Sequence, residues 1–212
     1  MELTRDFPLF PLRLVALPTE LVPLHIFEER YKILVERCLA EPTEFGILCT
    51  GDDGQPAIGC ACMIAEVLER LDDGRVNLVA RGTRVFRLEA EQDDLPYPAG
   101  AVEFMIDDGG EPDPELLAAA HDAYAELVRE ATDREPDLDE IAAMGAYQMA
   151  ATIEFNVEAK QRLLELRSES ARLELLLRLL RAAVRRLDFV ERAQARAASN
   201  GKVRLGPGGP LD

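Results

Sequence analysis

The sequence has no tryptophan, two histidines and three serines, and aromatic residues make up only 6% of its 212 positions. These shortages remove whole classes of chemistry. A Ser-His-Asp hydrolase needs a serine exposed on a sharp turn beside a histidine. Ser168, Ser170 and Ser199 instead lie in the leucine- and arginine-rich last quarter, and no G-x-S-x-G occurs. The single Gly-Lys pair, Gly201-Lys202, continues with Val203, so the hydroxyl that would hold magnesium in a phosphate-binding loop is missing. No G-x-G-x-x-G follows an apolar strand-like segment, and neither ATP nor a dinucleotide is expected. No apolar run is long enough to cross a bilayer, and Met1-Glu2-Leu3-Thr4-Arg5-Asp6 lacks the basic-then-apolar pattern of a secretion signal. A cytoplasmic protein that does not use the membrane is the expectation.

Cysteine is present but badly placed for metal. Cys38, Cys49, Cys60 and Cys62 all sit in apolar segments, as reduced core thiols do. Cys60-x-Cys62 places two thiols on one side of a strand, whereas structural zinc sites use pairs two to four residues apart in turns. No metal and no cofactor are expected. His25, in Pro-Leu-His-Ile-Phe, has no cysteine or carboxylate near it in sequence and reads as a hydrogen-bonded structural residue. Asp52-Asp53, Asp72-Asp73 and Asp93-Asp94 fall at turns, where aspartate stabilises backbone geometry. With no nucleophile, phosphate loop, metal spacing or paired acids, the chain reads as a binding module and not an enzyme.

Charge is abundant and uneven. The net charge is −16, with 24 basic against 40 acidic side chains. Residues 160–212 carry 12 basic and 6 acidic groups, net +6, and residues 1–159 carry the other 12 and 34, net −22. An acidic body repels phosphate backbones at long range, so nucleic acid is an unlikely general partner. The basic final segment is expected to complement the acidic body within the molecule.

The pattern of apolar residues predicts an α+β protein. Phe7 to Pro18 holds too many prolines for a helix and reads as an extended edge strand and loop. Glu28 to Ala40 switches to a helical period. Strands follow at Phe45 to Thr50, Ile58 to Arg70, Val76 to Leu88 and Tyr97 to Ile106, with Gly51-Asp-Asp-Gly54 and Asp72-Asp-Gly74 as hairpin turns. They predict an antiparallel meander that closes partly into a barrel, with a bulge or bend at Gly82. Asp107 to Pro114 is a linker with Asp113 as a helix cap. Helices follow with stripes at Leu116 to Val128, from the Asp137-x-x-Glu140 cap to Met149, after Asn156, and from Ser168 to about Ala198. The division is residues 1–106 (β-rich, one helix), 107–115 (linker), 116–200 (helical) and 201–212 (disordered tail). The last helix carries Leu173, Leu176, Leu177, Leu180, Val184, Leu187 and Val190 inward, and Arg172, Arg178, Arg181, Arg185 and Arg186 on solvated faces. A dimer through that helix is the sharper alternative.

The stretch Phe7-Pro-Leu-Phe-Pro-Leu-Arg-Leu-Val-Ala-Leu-Pro-Thr-Glu-Leu-Val-Pro-Leu-His-Ile-Phe-Glu-Glu-Arg-Tyr31 resembles the opening of the Lon amino-terminal domain family. Further matches run in order through Phe45-Gly-Ile-Leu48, Ile58-Gly59, Val79-Ala-Arg-Gly-Thr-Arg-Val-Phe86, Lys160-Gln-Arg-Leu-Leu-Glu165 and Arg172-Leu173, covering about Asp6 to Arg192. The resemblance implies a PUA-like, partly closed barrel followed by a helical bundle ending in a long helix. It also implies recognition of unfolded or tagged polypeptides or of a protein partner, without the ATPase and peptidase modules of complete Lon proteases. Pro18-Thr19 departs from the Pro-Gly common in the family. Candidate peptide contacts are Leu21, Leu24, Ile26 and Phe27, in the proline-rich opening and next to a strand edge. The alternative is an RNA-binding PUA-like protein contacting phosphates through Arg81, Arg84 and Arg87 and the basic last helix.

Overall fold

The computed structural model describes residues 3–50, 57–132 and 134–200. The turn at Gly51 to Gly54 and the segment 201–212 lie outside these residues. The elements run β1 (Leu3–Leu12), β2 (Leu21–Ile26), α1 (Glu29–Ala40), β3 (Phe45–Cys49), β4 (Ile58–Arg70), β5 (Val76–Gln92) and β6 (Ala99–Phe104). Among the described residues, the helices after α1 are α2 (Pro114–Thr132), α3 (Leu138–Ala142), α4 (Ala146–Ala150), α5 (Val157–Glu165) and α6 (Glu169–Asn200). The strands form one sheet in the order β2-β5-β4-β3-β1-β6, and the far half of β5 also pairs with β6. The sheet curls until β6 meets β5, while β2 remains outside as an edge.

Two expectations need correction. The sheet is mixed and not wholly antiparallel, because β1 runs parallel to β3, with Leu9 opposite Gly46, while its closure is partial as expected, β6 meeting β5 and β2 staying outside. The proline-rich opening is also not an edge, since β1 lies between β3 and β6. Its prolines are accommodated beside an irregularity between Thr4 and Phe7, where Asp6 has φ 55°. The meander β3-β4-β5-β6 is antiparallel throughout, with Gly74 at φ 80° in the β4–β5 turn.

Helix starts follow the capping chemistry. Asp113 accepts from Glu115 N at 2.9 Å, Asp137 from Asp139 N and Glu140 N, and Asn156 from Ala159 N at 2.9 Å. The stripe from Asp137 to Met149 is broken into α3 and α4, because Gly145 is extended and Glu169 reaches across from α6 to accept Ala146 N. Leu173, Leu176, Leu177, Leu180 and Val184 of α6 are all buried, chiefly against α2. Leu187 is half-buried, and the side chain of Val190 lies outside the described set. One apolar cluster runs from Phe10 and Ile26 through Leu164 to Leu176, spanning sheet and helices. The four cysteines are free and buried. Contact with Cys62 and burial push the Cys60 thiol well above its usual range, which makes it a poor nucleophile or metal ligand.

The two parts are joined by polar contacts at their boundary. Arg172, expected on a solvated face, is 2% exposed. Its guanidinium donates to both oxygens of Asp107 and to Leu166 O at 3.0 Å, pairs with Glu169, and lies 4.4 Å over the Tyr147 ring. Only this set of acceptors makes the burial of its charge tolerable. Farther along, Lys160 pairs with Glu20, and Gln161 donates to Ile58 O at 3.2 Å. Both bonds tie α5 to the sheet.

Glu20 belongs to the β1–β2 turn, which rests on a bulge in β5. Cys62 pairs with Gly82 and Ala61 with Arg84, leaving Thr83 as the extra residue. Gly82 N donates to Glu20 O and Gly82 O accepts from Thr19 N, at 2.9 and 2.8 Å. A Cβ on Gly82 would lie 2.1 Å from Leu17 O, so only glycine allows this approach. Leu17 O accepts from Glu20 N across Pro18-Thr19, and Thr19 has φ 73°. That is the second central position of a type II turn, where glycine is preferred and a β-branched residue is strained.

Three stability outcomes follow. Gly82→Ala should cost about 3 kcal/mol through overpacking. Thr19→Gly should gain about 1 kcal/mol, the relief of strain exceeding glycine's greater freedom in the unfolded chain. Both are read from urea unfolding. Burial pushes the Tyr147 hydroxyl up to about 12 from an ordinary 10.0, with Arg172 opposing. The folded state then holds that proton more tightly than the unfolded one, so the contribution is complete below pH 10 and is lost as pH rises toward 12. The urea midpoint should fall across that window, and Tyr147→Phe should remove its part of the decline.

Candidate functional site

Period-two alternation along β2 sends Val22, Leu24 and Ile26 into the core and Leu21, Pro23 and His25 outward. The four apolar candidates therefore separate. Leu24 and Ile26 are 8% and 1% exposed and belong to the core, so they cannot form an open contact surface; Leu21 and Phe27 are 53% and 59% exposed. The strand register extends the outward face across three strands. Leu21 lies opposite Arg81, which lies opposite Met63; Pro23 opposite Val79 and then Glu66; His25 opposite Asn77 and then Glu69.

The third row is a hydrogen-bonded chain. Asn77 Nδ2 donates to Glu69 Oε2 at 2.9 Å, which leaves its Oδ1 as the acceptor for His25 Nδ1–H at 2.6 Å. The His25 ring also stacks on Phe27, centroids 5.9 Å apart. The histidine is thus committed to holding the end of the edge strand, and no nucleophile stands beside it.

Beside this row is a concavity of about 540 Å³, with Leu24 and Leu78 at its base and Leu68 in its wall. Leu68 is the extra residue of a β4 bulge, since Val67 pairs with Leu78 and Glu69 with Asn77. The bulge re-aims it, and it is 56% exposed. Sequence reading missed Leu68 and Met63, because an unbroken strand of apolar and acidic residues carries no turn signal to mark a bulge. Among the described residues the outer side of β2 pairs with nothing. Pro23 lacks one donor there, as suits an edge. The face therefore offers exposed apolar side chains, a notch and a free main-chain edge together.

The three arginines do not form one patch. Arg81 lies on this face beside Leu21. Beyond the Thr83 bulge, Arg84 pairs with Glu44 and sits 3.4 Å over the Phe104 ring. Arg87 pairs with Glu89 and Glu103, and the contact with Glu89 chiefly raises its pKa. Two of the three charges are thus already compensated. A second cleft, about 780 Å³, lies between α2 and α6, with Leu127, Val128, Ile153 and Leu187 in its walls. The groups of α2 and α6 are hydrogen-bonded within their helices, so this cleft can take a side chain but cannot extend a sheet.

The sequence profile of the ATP-dependent protease La (LON) substrate-binding domain matches residues 6–182. The chain belongs to this family. Its fold is similar to the crystal structure of a Lon N-terminal domain protein from Xanthomonas campestris, with 27% identity, 84% of this chain and 98% of that one covered, and a TM-score of 0.62. It is also similar to the N-terminal domain of Mycobacterium avium complex Lon protease, at 22% identity, 82% and 97% coverage and a TM-score of 0.61. The family is that of a substrate-binding domain, not of the catalytic one. Lys160, Gln161 and Arg172, near the end of the matched region, are among the residues that join the helices to the β-rich part.

Truncation should separate core from face: Leu24→Ala and Ile26→Ala should each cost about 2–5 kcal/mol of stability, and Leu21→Ala and Phe27→Ala less than about 0.5 kcal/mol. Urea midpoints measure all four.

Proposed function

We propose that the protein is a non-catalytic polypeptide-recognition module that serves as an adaptor or quality-control factor and holds extended segments of unfolded or tagged chains. The observation that carries this reading is the open edge of β2 beside an exposed apolar face. An added strand would hydrogen-bond to β2 through its main chain, which is independent of sequence. Alternate side chains would lie toward Leu21, Phe27 and the Leu68 notch, which supplies a preference for apolar residues. Leu24 and Ile26 act from beneath by fixing the strand. Membership of a substrate-binding family supports the same reading. Compensation of Arg84 and Arg87, together with the net charge of −16, weighs against the RNA alternative.

The test is fluorescence anisotropy with labelled peptides tiled from a reduced, permanently unfolded protein. Apolar, extended peptides should bind, and Leu68→Asp and Phe27→Asp should each weaken binding about tenfold or more, equivalent to about 1.4 kcal/mol, with unfolding midpoints held. Absence of binding by every peptide at about 100 μM, roughly −5.5 kcal/mol, would overturn it.

A further inference from the structure

The basic charge of α6 was expected to complement the acidic body, and Arg172 does so through Asp107, but a run of arginines farther along the helix does not. Arg178 to Arg186 holds four arginines, and no acidic residue occurs between Glu174 and Asp188. Arg178, Arg181, Arg185 and Arg186 are exposed, and among the described residues none has an ion-pair partner. In a chain of net −16 this is a run of four neighbouring positive charges left unmatched among the described residues.

Helical spacing sorts these residues. Arg178, Arg181, Ala182, Arg185 and Phe189 fall at steps of three and four on the face opposite the buried leucines. Phe189 is 72% exposed, the most exposed of the large apolar side chains described. The stripe from Arg178 to Phe189 is about 17 Å long at 1.5 Å per residue. It combines planar, forked cations with one aromatic ring.

We infer that this stripe is a second docking surface, separate from the β2 face, for an acidic polypeptide segment that places an apolar residue against Phe189 and carboxylates against Arg178, Arg181 and Arg185. Every cation in the stripe is arginine, whose guanidinium matches a carboxylate with two parallel hydrogen bonds. Arginine and phenylalanine are enriched in protein interfaces, and lysine is depleted. A polyphosphate fits less well. A body of net −22 over residues 1–159 repels a long polyanion that extends past the stripe, and one ring provides one stacking platform where single-strand binders use several. A membrane surface needs a broad apolar face, and this one has a single large apolar side chain.

The experiment uses the full chain and a labelled helical peptide of about 16 residues with a glutamate stripe around a central leucine, read by anisotropy. Controls are the same peptide with glutamine for glutamate, a labelled oligouridine of about 16 nucleotides, and phosphatidylserine-containing vesicles. The acidic peptide should bind in a salt-sensitive manner and the glutamine peptide about tenfold or more weaker. Arg181→Glu with Arg185→Glu should abolish binding, and Phe189→Ala should weaken it about fivefold. These substitutions are on the surface, so circular dichroism and the urea midpoint should hold, and binding of extended apolar peptides at β2 should be unchanged. Equal binding of the acidic peptide by the charge-reversed variant, no binding at all, or tighter binding of oligouridine or vesicles would each overturn the inference.

Discussion

The protein depends on the satisfaction of one buried charge. Arg172 lies where the sheet's exit segment, the α5–α6 corner and the start of the long helix meet, and it has an acceptor from each: Asp107, Leu166 O and Glu169. Burying a guanidinium is unfavourable unless its donors are matched and its charge is balanced. The three segments therefore have one mutual arrangement that satisfies it. Tyr147 closes the remaining side with its ring face. Apolar contact alone, which is not directional, would leave the helices freer to slide on the sheet.

With that joint set, the helical part secures the β1–β2 turn from outside through Lys160 and Glu20, and the β5 bulge at Gly82 receives it from inside. The turn in turn determines how β2 lies along β5. The chain accepts a strained Thr19 at this point. The edge strand is thus held at its entry by a glycine seat and at its exit by His25, Asn77 and Glu69. A strand that is fixed at both ends and open along one side is preorganised to accept another chain, and such preorganisation lowers the entropic cost of binding.

The distribution of charge has a comparable logic. Arginines on the sheet are drawn into pairs with Glu44, Glu89 and Glu103, so they stabilise the curled strands locally. Among the described residues, Arg178, Arg181, Arg185 and Arg186 on the outer face of α6 have no ion-pair partner. Net charge by segment was visible in the sequence, but whether the charges meet depends on which faces the fold turns toward each other.

Local signals were sufficient for much of this protein. Hairpin glycines, capping residues and the change of apolar period placed the strands and most helices, since each acts over a few residues, and the absence of nucleophile and phosphate motifs was readable directly. Leu21 and Phe27 were named as candidate contacts together with Leu24 and Ile26, from their place in an extended apolar segment that carries no local signal to separate the exposed pair from the buried one. What required the tertiary structure was everything set by distant partners: the interior position of β1 and its parallel pairing with β3, the burial of Arg172, the separation of Leu24 and Ile26 from their exposed neighbours, and the bulge that turns Leu68 outward. Each of these is decided by strand register or by an acceptor tens of residues away, and neither is encoded in the spacing of nearby residues. The sequence determined which elements form; the tertiary structure decided which side chains face solvent, and therefore where a partner could be held.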